Sequence, residues 1–222
     1  MRGLLRQLKK EIHSPSSIDL SVPVEKGRYV VLDTELTGLD AKKDSIVSIG
    51  ALKMQGGRIE FGNFYYRVVE PETKLTGKSV VIHGITPSET TGCPVLEKLM
   101  PEFLDYCRDS ILVGHFIHLD LSFINKELKK AGLSELNNMS VDTHRIYDWL
   151  KNHDSAFKHG GGNFDGNKDL ITLAKRFGIP ITDAHNSLSD AFITAQVFQR
   201  LLSYMPKAGV RTIKDLLLIG KA

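Results

Sequence analysis

The sequence lacks the features that would place a protein outside the ordinary globular class. It has only two cysteines, Cys93 and Cys107, in 222 residues. Two are too few for a disulfide scaffold, and they lack the paired spacing of a zinc site. No apolar run approaches the ~18 residues of a membrane span, and the opening MRGLLRQLKKEIH alternates charges with leucines instead of forming the apolar core of a signal peptide. These absences favour reduced thiols, a cytoplasmic location and no membrane partner.

An excess of charge of one sign is also missing. The 29 Lys and Arg residues nearly balance the 26 Asp and Glu residues, which leaves a formal charge of +3. Proteins recognisable as nucleic-acid binders by composition alone are much more basic, so charge neither supports nor excludes that class of partner. The stretch KHGGGNFDGNK lacks the Gly-Lys-Ser/Thr ending of a phosphate-binding P-loop and is typical of a flexible connection.

Residues 1–27 are predicted to form an appendage. Apolar residues recur at helical spacing between Leu4 and Ile12, and the Ser/Pro-rich stretch HSPSSIDLSVP then interrupts the helix. A short amphipathic helix on a tether fits this pattern. We expect the helix to pack on the protein's own surface, with a partner-docking arm as the alternative.

From Arg28 the pattern changes to three strand-like runs, RYVVLD, SIVSIGALKM and RIEFGNFYYRVV, separated by turn-type sequences. Helical and strand-like segments then alternate. The predicted fold class is α/β: a three-strand meander continued by parallel strands into a mixed sheet, with helices covering both faces. We expect one domain over 28–204 and a C-terminal amphipathic helix within 205–222, packed on the domain or extending it.

Two acidic residues lie at the end of the first predicted strand, in VVLDTELTG. Because side chains alternate across a strand, Asp33 and Glu35 project from the same face. Adjacent carboxylates at the point where a buried strand reaches the surface attract a divalent cation, and such hard oxygen ligands suit Mg²⁺ or Mn²⁺ more than zinc. A solvated strand end would show the same two residues, so this motif needs the support of others.

Two further acids and a histidine belong to predicted helical segments. Asp120 stands among apolar residues in ILVGHFIHLDLSFIN, where it either faces a partner or stabilises a helix N-terminus. Asp190 opens a helix whose face of small residues aims it inward. His185 precedes Asp190 by five positions and is near enough to share its site.

Taken together, these segments resemble the DEDDh branch of the RNase H-like 3′-to-5′ exonucleases, the family that includes the proofreading epsilon subunit of bacterial DNA polymerase III. The resemblance covers about residues 28–204. The three family motifs stand here in order as DTELTG, GHFIHLDLSF and HNSLSD. A His-Gly-Ile-Thr loop at residues 83–86 and a VDT segment at Asp142 and Thr143 are further family features.

The resemblance implies an RNase H-like fold and a mechanism. In the family, four acids hold two divalent metal ions, Mg²⁺ with Mn²⁺ able to substitute. The matching positions are Asp33, Glu35, Asp120 and Asp190, with Asp33 bridging the two ions. His185 would act as general base on the attacking water. The products would be nucleoside 5′-monophosphates released from a single-stranded 3′ end.

The resemblance also implies contacts to the last nucleotide, with an apolar side chain against its base. The residues in question are Thr34, Leu36, Leu39, His83, Ile85, Thr86, His115 and Phe116. The sequence departs from the family pattern at Leu36, where the epsilon branch commonly has threonine, and at His115-Phe116, where an Asn-Ala type pair is frequent. These departures bear on substrate preference more than on activity.

Three alternatives remain open at this point. DNA is the expected substrate, in proofreading or repair and as part of a polymerase or repair complex, but an RNA-directed exonuclease of the oligoribonuclease or RNase T kind would carry the same acids and histidine. A catalytically silent binding module could keep the fold, although the complete set of acids and His185 argues against it. A metal-binding pair at His115 and His118 lacks a third ligand.

Overall fold

The computed structural model describes residues 18–155, 157, 168–181 and 186–222. The strands are β1 (Arg28–Leu36), β2 (Ile46–Gln55), β3 (Arg58–Val68), β4 (Ile111–Gly114) and β5 (Ser140–Asp142). They form one mixed sheet in the order β3-β2-β1-β4-β5. The first three strands make an antiparallel meander, and β4 and β5 run parallel to β1. The predicted meander and its parallel continuation are both present.

Helices connect and follow the strands. They are α1 (Gly77–His83), α2 (Pro87–Thr90), α3 (Leu96–Tyr106), α4 (His118–Lys130), α5 (Thr143–His153), α6 (Leu170–Arg176), α7 (Ser187–Tyr204) and α8 (Ile213–Gly220). Local capping explains several boundaries: the Asn186 side chain accepts the N–H groups of Leu188 and Ser189 at the start of α7. No helix in the described ranges is both long and apolar enough to span a membrane.

Each face of the sheet carries its own hydrophobic core, because side chains alternate along a strand that is buried on both sides. Tyr29 and Val31 of β1 pack in the core formed with α5, α6, α7 and α8. Val30 and Leu32 pack in the opposite core, with α3 and α4. All four side chains are at most 1% exposed. The predicted fold class, a mixed sheet covered by helices on both faces, is confirmed.

Helix α7 approaches the sheet closely at its first turn. Gly50 of β2 pairs with Asp33 of β1, and a side chain at Gly50 would overlap the backbone at Ser187. The hydroxyls of Ser48 and Ser187 also share a buried hydrogen bond of 2.8 Å. The missing side chain at Gly50 therefore allows the start of α7, and with it Asp190, to lie against the end of β1.

The C-terminal segment is joined to the first described residues. Pro23 forms an isolated antiparallel bridge with Thr212, and Ile213 and Leu216 of α8 are fully buried where α8 packs on α5 and β5. The predicted N-terminal helix falls within residues 1–17, outside the described ranges. The proposed division of the chain into three parts stays a prediction.

Candidate active site

Three of the four predicted metal-binding acids meet at the end of β1. Asp33 and Glu35 share the strand face of Tyr29 and Val31, which packs toward α7. Asp190 lies in the first turn of α7. One carboxylate oxygen from each of Asp33, Glu35 and Asp190 lies within 4.8 Å of the others. The alternation of side chains along β1 therefore places the acids as expected.

Asp120 reaches the site from the other layer. It lies in the first turn of α4, and α4 packs on the opposite face of the sheet. Thr34, whose side chain points to that face, donates its hydroxyl to Asp120 Oδ1 at 2.6 Å. Thr34 therefore holds Asp120 beside the strand that carries Asp33 and Glu35. The contact of Thr34 with substrate that the resemblance implies stays a prediction.

The acids raise one another's pKa values. Burial, followed by the charges of Asp120, Asp190 and Glu35, raises the pKa of Asp33 well above its ordinary value. Burial, followed by the charges of Asp190 and Asp120, raises the pKa of Glu35 to about 8. Burial also raises the pKa of Asp120 to about 7, against the opposing effect of the Thr34 hydrogen bond. Without a cation, burial and mutual repulsion therefore favour the protonated forms of these side chains.

The chemistry of this donor set suits a divalent cation. Among the described residues, no lysine or arginine forms an ion pair with Asp33, Glu35 or Asp120. A second group of close carboxylates is compensated differently. It consists of Glu72, Glu97 and Glu127. There, Lys130 Nζ lies 2.6 Å from Glu72 and 3.1 Å from Glu127. The carboxylates at β1 offer the hard oxygen ligands that suit a divalent cation. A bound metal ion would stabilise their ionised forms and so lower their raised pKa values.

His185 falls outside the described residues, so its predicted role rests on the sequence alone. Its neighbour Asn186 is described. The Asn186 side chain caps α7 and donates to the Tyr66 hydroxyl of β3 at 3.1 Å. The chain segment that follows His185 is thus fixed to both the helix and the sheet.

The predicted contacts to the last nucleotide differ in their exposure. Leu39 is 77% exposed, and Leu36 is half-buried. His83 and Ile85 are buried, and the Ile85 N–H donates to His83 Nδ1 at 3.1 Å. Thr86 uses both its backbone N–H and its hydroxyl on Glu89, at 2.8 and 2.7 Å, to begin α2. The predicted contacts of these residues with the last nucleotide stay predictions.

His115 and Phe116 leave the end of β4 beside the acids. Because the Lys168 carbonyl can only accept, His115 Nε2 donates to it at 2.9 Å, and Nδ1 lies 2.8 Å from the Thr143 hydroxyl. Burial lowers the pKa of His115, which favours the neutral form of its ring. Phe116 is 39% exposed. The ring nitrogens of His115 are both occupied within the protein, whereas the ring of Phe116 is accessible.

Sequence reasoning gave Asp142 no role beyond its place in the VDT segment. In the structure it is 3% exposed, and its Oδ1 accepts two backbone hydrogen bonds, from Phe116 at 3.1 Å and from His144 at 2.9 Å. An acid directly before a predicted helix was the available signal, because aspartate is a preferred N-cap residue. The bond from the Phe116 N–H joins β5 to the segment that follows β4, and no local pattern indicates it.

The fold and the acidic centre together define an exonuclease of the RNase H-like class. E. coli exonuclease I bound to single-stranded DNA matches with a TM-score of 0.73 at 14% identity, over 83% of this chain and 42% of that one. Exonuclease X in complex with 5′-overhanging duplex DNA matches with a TM-score of 0.61 at 20% identity, over 80% of this chain and 93% of that one. At these identities the likeness concerns the fold.

The sequence identifies the family. The RNase_T model, described as an exonuclease, matches residues 30–198, and the chain belongs to that family. DNA polymerase III subunit epsilon of Aquifex aeolicus is 30% identical over 193 residues, covering 85% of this chain and 87% of that protein. The PolC-type DNA polymerase III of Thermotoga maritima is 34% identical over 189 residues, which are 85% of this chain but 13% of that polymerase. The predicted family and the predicted enzyme class, an exonuclease that hydrolyses phosphodiester bonds, are confirmed.

Proposed function

We propose that this protein removes nucleoside 5′-monophosphates from single-stranded 3′ ends of DNA, in proofreading or repair. The observation that carries this proposal is the acidic centre, where Asp33, Glu35 and Asp190 lie within 4.8 Å and Asp120 is held alongside by Thr34. The similarity to an epsilon subunit and to exonuclease I bound to single-stranded DNA supports the choice of DNA.

We infer that Asp33, Glu35, Asp120 and Asp190 hold two divalent ions, Mg²⁺ with Mn²⁺ as a substitute. When bound, such ions would neutralise the carboxylates, acidify the attacking water and stabilise the leaving oxygen. Contacts within the chain position these carboxylates. Thr34 orients Asp120 and favours its ionised form, because a hydrogen bond to a carboxylate stabilises the charged state.

His185 is the proposed general base. An imidazole titrates near neutral pH, so it can take a proton from a water molecule and release it to solvent after the step. His185 directly precedes the N-cap of α7, and Asp190 lies in the first turn of that helix. The proposed base therefore adjoins a helix that also carries one of the acids.

The apolar side chains are proposed to hold the last nucleotide. Leu39 is exposed and Leu36 half-buried, next to the β1 acids in sequence. An apolar side chain against a base tolerates all four bases, so we expect little sequence preference. Scattered Lys and Arg contacts to phosphates would make binding weaker at high salt.

Association with a polymerase or repair complex is also proposed. Its support is that the curated relatives are an epsilon subunit and PolC-type polymerases of DNA polymerase III. Size-exclusion chromatography of the protein with the replicative polymerase subunit of its host would test it. Co-elution is expected, and separate elution at micromolar concentrations would contradict the proposal. A cytoplasmic location stays a prediction.

The nuclease itself is tested with single-stranded DNA labelled at either end. We expect wild type with Mg²⁺ or Mn²⁺ to release labelled mononucleotide first from the 3′-labelled strand, and EDTA to abolish the release. Asp33→Asn removes a carboxylate charge, and His185→Ala removes the proposed base. Each substitution should lower kcat on the order of 10²-fold or more. Glu72→Gln is the matched control, since it changes an acid of the lysine-compensated group.

The outcomes separate the alternatives. Release from the 5′ end, or release that is unaffected by EDTA, would contradict the proposal. A strong preference for a matched RNA strand would favour an RNA-directed exonuclease. Absence of hydrolysis of both DNA and RNA would favour a catalytically silent module.

A further inference from the structure

Two aromatic side chains form an accessible pair at the edge of the sheet that carries the acids. The rings of Phe116 and His144 have centroids 4.6 Å apart, with an angle of 36° between their planes. His115 contacts Phe116 edge-on, with centroids 4.6 Å apart. Phe116 is 39% exposed and belongs to neither hydrophobic core of the described residues. Packing of the protein interior therefore does not account for this ring.

The backbone at Phe116 is strained. Its φ is +58°, in the left-handed region that bulky residues rarely adopt. Such conformations persist only where surrounding contacts impose them, and they concentrate at functional sites. A glycine or asparagine would adopt this positive φ at lower energetic cost. The presence of phenylalanine therefore indicates that its ring has a function.

One buried carboxylate imposes this arrangement. Asp142 Oδ1 accepts the N–H of Phe116 at 3.1 Å and the N–H of His144 at 2.9 Å. A single oxygen thus fixes the backbones of both aromatic residues relative to each other. Hydrogen bonds of its two ring nitrogens with Thr143 and Lys168 fix the orientation of the His115 ring, which packs against Phe116.

The pair lies at the same end of the sheet as the acids. Val31 of β1 is in parallel register with Val113 of β4, and Asp33 and His115 each follow two residues later in the chain. Gly114 is in turn in register with Asp142 of β5. Adjacent strands are ~4.8 Å apart, so β4 and β5, which lead into Phe116 and His144, lie about 5 and 10 Å from β1.

We propose that Phe116 and His144 form a stacking site for a nucleobase of the strand upstream of the nucleotide being removed, and that Asp142 is the positioning residue of this site. The proposal rests on the nuclease function proposed above. Stacking on an aromatic face accepts any base, which suits an enzyme that moves along a strand irrespective of sequence. A single-stranded end offers unpaired bases, whereas bases within a duplex are not available to the ring.

Binding is tested first, in EDTA so that hydrolysis does not interfere. A single-stranded oligonucleotide carries the fluorescent base 2-aminopurine next to its last nucleotide, and stacking quenches that fluorescence. We expect quenching with wild type and with Phe116→Tyr, and its loss with Phe116→Asn, because asparagine accepts the positive φ but has no aromatic ring. Phe64→Ala on β3 is the control, since Phe64 is also an exposed phenylalanine, at 54%.

Kinetics with two substrates then locate the effect. For a single-stranded oligonucleotide, Phe116→Asn should raise KM on the order of tenfold, the range of one lost base stack, with kcat changed less than about twofold. For a p-nitrophenyl ester of a nucleoside 5′-monophosphate, which has no upstream base, the rise in KM of the variant should be clearly smaller than for the oligonucleotide. Asp142→Ala should reduce quenching as Phe116→Asn does, and Asp142→Asn, which retains an acceptor oxygen, should recover part of it.

The results that overturn the stacking site differ from those that overturn the nuclease. No quenching with wild type, equal quenching with Phe116→Asn, or an equal rise in KM for both substrates would refute the stacking site. Failure of wild type to hydrolyse either substrate would refute the nuclease, whereas ring-dependent quenching in that case would still support a site for unpaired bases.

Discussion

At the scale of single residues, the protonation of Glu35 should couple stability to pH. Its pKa is raised from the ordinary 4.5 to about 8, chiefly by burial. The folded protein therefore holds this proton more tightly than the unfolded chain does. In metal-free protein, this contribution to the free energy of unfolding is complete below about pH 4.5, declines as pH rises toward 8, and is lost above that value.

Thermal unfolding in EDTA at several pH values provides the measurement. We expect Tm to fall more steeply between about pH 5 and pH 8.5 in wild type than in Glu35→Gln, in which residue 35 cannot ionise. Mg²⁺ or Mn²⁺ should raise Tm more at the higher pH, because the metal ion competes with protons for the same oxygens. Parallel curves for the two proteins, or a larger effect of the metal at pH 5, would contradict this expectation.

The residues also show where sequence reasoning succeeds. Alternation along β1 correctly predicts that Asp33 and Glu35 share a face, because that periodicity is a local property of the strand. The bond between Thr34 and Asp120 joins residues 86 positions apart. Asp142 bonds to Phe116 at a separation of 26 positions. The first contact arises from the packing of α4 on the sheet and the second from the pairing of β4 with β5, and no periodicity within one segment encodes either.

At the scale of elements, the approach of α7 to β2 depends on Gly50. A methyl group there would overlap the backbone at Ser187 and push the first turn of α7, with Asp190, away from Asp33. We expect Gly50→Ala to lower kcat/KM on the order of a hundredfold, since small displacements of catalytic groups have effects of this size. The affinity for Mn²⁺, measured by calorimetry, should fall as well.

Gly62→Ala in β3 is the matched control, because a Cβ at Gly62 meets no atom within 4 Å. Its kcat/KM should stay close to that of wild type. If Gly50→Ala retained wild-type kcat/KM and Mn²⁺ affinity, the close approach of α7 would not be what positions Asp190.

The elements themselves were largely predictable. Long periodic segments such as LSDAFITAQVF and the apolar run RYVVLD indicated α7 and β1, because burial on one or two faces leaves a regular pattern. The sequence pattern does not predict helices α1 and α2, which have seven and four residues. Both depend on caps at Thr76 and Thr86 more than on an apolar face, so their periodicity is too short to detect.

At the scale of the whole molecule, α8 closes the core that faces α7. Leu216 is fully buried, and Leu218, two residues later and on the opposite side of the same helix, is 76% exposed. Leu216→Ala should lower the free energy of unfolding by about 2–5 kcal/mol, the cost of a lost side chain and its cavity. Leu218→Ala should change it by less than about 0.5 kcal/mol. Urea denaturation measures both, and equal values would show that α8 does not contribute to the core.

The nuclease centre is assembled across the sheet from two layers. Asp190 comes from α7 on one face, and Asp120 comes from α4 on the other, tied to β1 through Thr34. Packed layers shift as rigid bodies between discrete arrangements and deform little internally. A protein bound to the outer surface of either layer can therefore alter the separation of these acids without touching the nucleic acid. Joining the polymerase or repair complex proposed above would then change the rate of hydrolysis.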